Sequence, residues 1–483
     1  MTTTSPTVHT SVTPLLSKDP ATDRRPGLLL AVVLAAQFMA LLDVFIVNVA
    51  APTIRTELGA SGAALQLVIA GYTISYAVLL ITGARLGDLL GHRWMYLGGL
   101  GVFTIASLAC GLAAGPEQLI AFRLVQGVGA ALMIPQVLSL IQRNFTGERR
   151  VRALGAYSAV LATGAAAGQV AGGVLVSADL FGASWRPVFL VNVPIGLVLL
   201  VLGAKVLPRD RRDEPERTRG LDLPGLVLLA AAVSLLTVPL VLGQEQDWPL
   251  WSWLSLAASV ILFAAFLSYE SRLARRGGAP LIAPRVLRIP GMGRAVLRIM
   301  LVMGVNAGFL FTLTLHIQGG LGFSPLRAGL TFGPSALVFG AVGLTWRRWP
   351  RKLQGALIPG GFALTAVSVV AVGLVLRDGG SGGLAVYAAF AGVGAGLALA
   401  FSPALTGALA TVRQEDAADA SGLLATVTQL GQLLGVATFG TLFLNRLTGP
   451  GAQASANALW ACTLTLAAAA IIGLLAGLVR RRH

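Results

Sequence analysis

The chain has 483 residues, 55% of them hydrophobic and only 12% charged, with a mean hydropathy of +0.78. A soluble protein carries about 25% charge, so this composition excludes a soluble globule and implies an all-α polytopic membrane protein. The net charge of +16 would suit a nucleic-acid partner only if the basic residues were gathered, and they are spread over eight separate segments.

Residues 1–26 are rich in Thr, Ser and Pro and read as a disordered cytoplasmic tail. The apolar run that begins near Leu28 is too long for a signal peptide. Fourteen apolar segments of spanning length follow, near 28–50, 64–84, 95–114, 117–140, 153–177, 187–207, 223–243, 251–268, 295–316, 326–345, 356–376, 384–408, 419–443 and 457–479. Charged stretches after Pro208 and around Ser271–Arg294 divide them six, two and six. The expected layout is an N-terminal six-helix bundle over 27–207, charged linkers with two inserted transmembrane helices over 208–293, and a C-terminal six-helix bundle with a basic tail over 294–483. If the N-terminus and alternate loops share one side, that side holds 30 of the 36 Lys and Arg. The opposite side holds only Arg55, Arg186, Arg327, Arg377 and Arg446, and Arg123 lies within a span. The positive-inside rule then places both termini in the cytoplasm. Cys110 and Cys462 both fall in apolar runs and imply no disulfide framework.

In chain order, the first span ends as Leu41-Leu42-Asp43-Val44-Phe45-Ile46-Val47-Asn48-Val49-Ala50-Ala51-Pro52. Asp43 stands about 22 Å into the run at helical rise. A membrane acid at such depth costs roughly 2.5–3.5 kcal/mol, and proton binding is the usual return for it. Satisfying freed backbone groups near Pro52 is the other use for such a side chain. Between spans two and three comes Gly83-Ala84-Arg85-Leu86-Gly87-Asp88-Leu89-Leu90-Gly91-His92-Arg93, where glycines permit a tight turn and Asp88 can cap the next helix. Span four carries Arg123 ahead of Gln126-Gly127-Val128-Gly129-Ala130. Its guanidinium either finds a partner inside the protein or snorkels to the interface. Span five reads Gly164-Ala165-Ala166-Ala167-Gly168-Gln169-Val170-Ala171-Gly172-Gly173, a small-residue face suited to close helix packing.

His316 at the outer end of span nine is expected at the interface, with titration as the other reading. Gln37, Gln136, Gln169, Asn306, Gln429 and Gln432 are candidates for a substrate cavity, though helix–helix hydrogen bonds explain such amides equally well. Tyr72 and Phe309 are candidates on the same terms, packing being the alternative. An internal repeat accompanies these motifs. Gly127–Ala130 recurs as Gly392–Ala395, 265 residues on, while Gly155, Gly164, Gly168 and Gly173 recur 267 residues on as Gly422, Gly431, Gly435 and Gly440. Carrying that offset to Asp43 and Arg123 reaches Phe309 and Ala388, so the second bundle repeats the scaffold without the titratable groups.

These motifs, together with Trp185–Gly196 before span six and Gly322–Leu330 before span ten, resemble the major facilitator superfamily, in its fourteen-span drug:proton antiporter branch. The resemblance covers about Leu28 to Leu474. It implies the major facilitator fold, two six-helix bundles plus two inserted helices, and export of drugs, antibiotics or secondary metabolites by alternating access. It assigns Asp43 and Arg123 to proton coupling. It makes Asp88, Arg93 and Gly91 parts of a conformational latch, and Gly164, Gly168, Gly172 and Gly173 the antiporter motif. Three departures stand out: Ala84 replaces the usual first glycine of the loop motif, Leu89 a usual arginine of it, and Gln169 the usual proline of span five. The implied partners are a hydrophobic small-molecule substrate, protons and the lipid bilayer, with no nucleic acid and no cofactor, in a monomer of a bacterial cytoplasmic membrane. An uptake symporter or facilitator of the same fold is the first alternative. A membrane-embedded enzyme or sensor is the second, against which stands the lack of any metal-spaced His/Cys cluster or nucleophile with a base. Asp43 reads as the only deep carboxylate, which predicts neutral or monocationic substrates and poor handling of dications.

Overall fold

A computed structural model describes residues 26–478 except 210–221, 244, 245, 247, 279, 283, 411 and 413–416; at some helical positions, Asp88 among them, it describes the backbone alone. The described chain forms fourteen long helical segments and no strand. They are α1 (Pro26–Glu57), α2 (Gly62–Leu90), α3 (His92–Gly111), α4 (Pro116–Asn144), α5 (Gly147–Ser177), α6 (Pro187–Val206) and α7 (Leu223–Leu242). There follow α8 (Leu250–Arg275), α9 (Met292–Gly320), α10 (Pro325–Arg348), α11 (Leu357–Val375), α12 (Gly383–Ala410), α13 (Ala417–Arg446) and α14 (Ala452–Leu478). All but α5 contain, among the described residues, a stretch long and apolar enough to cross a membrane. In α5 the described apolar stretch is shorter, Ala167–Ser177.

Local chemistry sets the ends. Ser61 accepts the Ala64 N–H at 3.1 Å and starts α2, and Ser324 accepts that of Arg327 at 3.3 Å and starts α10. Proline occupies the first turn of α4, α6, α7 and α10, where its missing N–H costs nothing. Only Gly91 separates α2 from α3, and its φ of +101° is one that side-chain-bearing residues rarely adopt. Helix α1 outruns its expected end at residue 50 and continues through Pro52 to Glu57.

In the first half α1 packs on α5, α2 on α4, and α3 on both α4 and α6. The second half repeats this, with α9 on α13, α10 on α12, and α11 on α12 and α14. Glycine contacts fix the register of the repeat. A Cβ at Gly127 would meet the Tyr72 carbonyl, and one at Gly394 the Ser335 carbonyl; likewise Gly129 faces Gly99 and Gly396 faces Gly361. Gly168 faces the Leu42 carbonyl as Gly435 faces that of Gly304. The true offset is thus 267 in α4 as in α5, and the sequence match at 265 is two residues out of register. First-helix positions map differently, Leu42 onto Gly304, because the connecting loops differ in length. Asp43 and Arg123 therefore correspond to Val305 and Phe390, not to Phe309 and Ala388.

Helices α7 and α8 pair with each other, and α7 lies against α2 of the first half and α13 of the second. The halves also meet directly, α2 on α13 and α5 on α10. At the end where α5 stops and α10 begins they are in tight contact. A Cβ on Gly173 would lie 2.7 Å from the Leu326 Cα, and one on Gly329 2.4 Å from the Gln169 carbonyl oxygen. The Leu326 N–H donates to Ser177 Oγ at 3.0 Å, and Gln318 Nε2 to the Val49 carbonyl at 2.8 Å.

Two further expectations need correction. His316 is not interfacial: it is fully buried, on a π turn that prolongs α9, with Nδ1 2.9 Å from Ser455 Oγ. Nor is Asp43 the only sequestered acid, since Asp222 and Glu270 are also buried. The segment after α8 folds back over Glu270, which local polarity had placed in a solvated linker.

Candidate functional site

The first half encloses a charged cluster built on five helices, α1, α2, α3, α4 and α6. Asp43 and Arg123 are 0% and 1% exposed, and Arg123 Nη1 meets Asp43 Oδ2 at 2.5 Å. Arg123 does not snorkel; it turns inward between the helices. The other carboxylate oxygen, Oδ1, accepts from Gln126 Nε2 and from Asn192 Nδ2, each at 2.8 Å. Gln126 Oε1 accepts from Arg123 Nη1 at 2.6 Å, and its Nε2 also reaches Ser107 Oγ at 2.8 Å. Arg123 Nε donates to the Val68 carbonyl at 3.1 Å. Its guanidinium carbon lies 4.7 Å from the centre of the Tyr72 ring and 5.7 Å from that of Phe189. Both cation–π contacts favour a retained positive charge.

The pattern explains the positions. Gln126 falls one helical turn after Arg123, on the same face of α4. Asn192 follows the break in α6 at Val191. A buried pair gains little net stability, because desolvation offsets the Coulomb attraction. Its distinctive property is reversibility: one proton on Asp43 cancels the attraction.

The same stretch of α1 reaches the boundary between the halves. Val44, Phe45 and Asn48 line a void of about 20 Å³ with Thr73 of α2 and Arg123, opposite Asn306 and Leu310 of α9 and Gln432 of α13. That space suits about one water, whereas drug-sized ligands need about 300–1,000 Å³. The halves must separate here to admit a ligand. Asp43 is thus followed on α1 by three residues of this wall, Val44, Phe45 and Asn48.

The remaining candidates are dispersed. Tyr72 belongs to the charged cluster, and Asn306 and Gln432 to the void. Gln429 is half-buried on α13. Gln37 is buried on α1 with no hydrogen-bond partner for Oε1, and Gln169 is buried with neither amide atom partnered, beside the α5–α10 contact. Gln136 is engaged in packing: its Nε2 donates to the Gly83 carbonyl at 2.8 Å and its Oε1 lies 2.6 Å from His92 Nδ1. Phe309 belongs to an aromatic core, edge-on to Phe390 at 5.8 Å, which in turn stacks on Phe332. Phe390 and Val305 stand where the first half has Arg123 and Asp43, so an apolar cluster replaces the charged one. Gly164, Gly168 and Gly172 face Leu41, Leu42 and Ile46 of α1, whereas Gly173 faces α10. Of the loop motif, Gly91 makes the turn and Arg93 Nη2 donates to the Ala204 carbonyl at 2.5 Å; the Asp88 side chain lies outside the described residues. Sequence reasoning singled out Asp43 and Arg123 but missed Ser107, Asn192 and the bridging role of Gln126. An amide within an apolar run was the available signal for the latter two. Ser107 had none.

Comparison with known proteins agrees with this architecture. Residues 33–436 match the Major Facilitator Superfamily. The chain is 40% identical over 433 residues to the probable actinorhodin transporter of Streptomyces coelicolor, covering 89% of this chain and 74% of that protein. It is 39% identical over 446 residues to the cephamycin export protein CmcT of Amycolatopsis lactamdurans, covering 91% and 89%. Among solved structures it is similar to a bacterial homologue of the human lysosomal transporter Spinster in an inward-facing, occupied conformation. That likeness has a TM-score of 0.67 at 17% identity over 95% of this chain and 97% of the other, and it bears on fold alone. With a family match over most of its length and relatives this similar, the chain belongs to the Major Facilitator Superfamily and is a multi-pass membrane transporter.

Proposed function

We propose that the protein exports antibiotic-like or secondary-metabolite small molecules from a bacterial cytoplasm in exchange for protons. The observation that carries the coupling is the buried Asp43–Arg123 pair, set on the helix that also walls the void between the halves. Protonation of Asp43 removes the tie between α1 and α4, while Arg123 keeps the Val68 carbonyl, Gln126 and the two rings. Release of the proton restores the tie. Similarity to a probable actinorhodin transporter and to a cephamycin export protein supports the substrate class, and the second supports the outward direction. No cofactor is required, since the proton gradient supplies the drive, and one chain forms the whole path.

In proteoliposomes, an imposed proton gradient is expected to drive an amphipathic monocationic dye faster than a matched dication of similar size. Among the described residues no acid lines the void itself; Asp43 adjoins the lining residue Val44 and pairs with the lining Arg123, and one carboxylate meets one cationic centre at a time. Equal or faster movement of the dication would overturn that charge rule; no movement of either dye would count against proton-driven export.

Sidedness rests on the charge asymmetry, which makes the closed α5–α10 end external and both termini cytoplasmic. Reporter fusions after Arg288 are expected to be cytoplasmic and those after Asp378 external. Fusions after Arg212 and Asp247, which lie outside the described residues, test the inserted pair in the same way, cytoplasmic for the first and external for the second. An external reporter at Arg288 would invert the assignment.

A further inference from the structure

Away from the void, a second buried acid site sits where the inserted helices meet the first half. Asp222 caps the start of α7 and is 4% exposed; Glu270, near the end of α8, is 1% exposed. Each carboxyl has one well-satisfied oxygen. Asp222 Oδ1 accepts from the Gly225 N–H at 2.9 Å and from the Tyr269 hydroxyl at 3.0 Å, and Glu270 Oε2 accepts from the Ile282 N–H at 2.8 Å. The inner oxygens, Asp222 Oδ2 and Glu270 Oε1, have no donor. They crowd the same face of Gly225, where an added Cβ would lie 2.3 Å from one and 2.5 Å from the other.

Two buried carboxylates in contact repel each other unless something lies between them. A metal ion is a poor fit, since hard cations want six or more oxygens, and here the surrounding groups on Gly225, Tyr269 and Ile282 are donors. No cluster of three or more metal-ligating side chains occurs among the described residues. One proton satisfies both inner oxygens at once, as a carboxyl donating to a carboxylate. The pair then carries a single negative charge. The guanidinium facing it is Arg85 of α2, which also donates to the Pro280 carbonyl. Among the described residues, Arg85, Asp222, Tyr269 and Glu270 are the titratable and charged groups that meet there.

We propose that Asp222 and Glu270 bind one shared proton, forming with Arg85 a latch that fastens the inserted helix pair and the 280–282 segment to α2. This rests on the transport reading above, because the segment so fastened leads into α9, the first helix of the second half. Loss of the proton to the cytoplasm leaves two buried negative charges against one guanidinium. The carboxyls part, Ile282 loses its acceptor, and the linker is released from the first half. The latch thereby makes the freedom of the second half depend on cytoplasmic pH, separately from Asp43.

Infrared spectroscopy of the purified full-length protein tests the proton directly and needs no substrate. At neutral pH the wild type is expected to show the carbonyl stretch of a protonated carboxyl that disappears in alkali. Glu270→Gln and Asp222→Asn should each lack it, while Asp43→Asn should retain it. Glu270→Gln keeps a neutral hydrogen-bond partner, so it should also flatten the alkaline limb of the efflux profile, along which the wild type is expected to vary several-fold. A band unchanged in both variants, or one displaced by sodium at constant pH, overturns the proposal. Absence of efflux at every pH with the band behaving as expected would instead remove the transport reading and leave the proton site standing.

Discussion

Asp43→Asn is expected to abolish proton-driven export and to destabilise the protein, and the two effects can be separated. The amide preserves the shape of the carboxylate and can still meet Gln126 and Asn192, but it cannot exchange a proton. It also leaves Arg123 buried without a counter-charge. Breaking a buried pair on one side typically costs about 3–5 kcal/mol, because the remaining charge is stranded. The carbonyls of Val68 and Gln126 and the two aromatic faces recover part of that. The double variant Asp43→Asn/Arg123→Gln strands no charge and should regain most of the lost thermal stability. It should not regain transport. The measurement is a melting curve beside dye efflux under an imposed pH gradient for wild type, both single variants and the double variant. Full efflux from Asp43→Asn would move coupling elsewhere; restored efflux in the double variant would make the pair purely structural.

What the sequence discloses, and what it hides, follows from the physics of each signal. Span number and polarity are legible because a bilayer imposes length and apolarity on each helix separately. Asp43 and Arg123 stand out because charge in such a helix is costly. Their pairing was not legible, since 80 residues separate them and only the packing of α1 on α4 and α6 brings them together. Ser107, one hydroxyl among many in apolar helices, carries no mark at all. The repeat was visible as glycine spacing but misread by two residues in α4. Identity of short glycine strings is a weaker guide to register than the carbonyl each glycine must approach. His316 and Glu270 were misplaced for a common reason: each lies near the end of an apolar run, and the run alone does not tell whether the next segment folds back over it. The amides divided on grounds invisible in one dimension. Gln136 turns towards Gly83 and His92, while Gln432 turns to the boundary between the halves.

Gly329→Val is expected to bias the transporter against the closed α5–α10 end, with little effect on the fold of either half. A Cβ at Gly329 would lie 2.4 Å from the carbonyl oxygen of Gln169, an atom of helix backbone with no freedom to withdraw. Gly173 presents the same problem from the other side, against Pro325 and Leu326. When this end opens, the two surfaces separate and the valine meets nothing, so its cost falls on one state only. Overpacking of this kind costs about 1–3 kcal/mol, which shifts a two-state ratio by about 5–150-fold. A pair of cysteines reads that ratio. Across the contact Ser177 Oγ accepts the backbone N–H of Leu326 at 3.0 Å, which brings the two residues together, and the native Cys110 and Cys462 are buried and out of competition. Ser177→Cys/Leu326→Cys should form a disulfide readily under mild oxidation in an otherwise wild-type chain. Adding Gly329→Val should lower that yield and reduce export, because a cycle that cannot close one end cannot complete alternation. An unchanged disulfide yield would mean that α5 and α10 yield locally, and that the glycines serve packing within a single state.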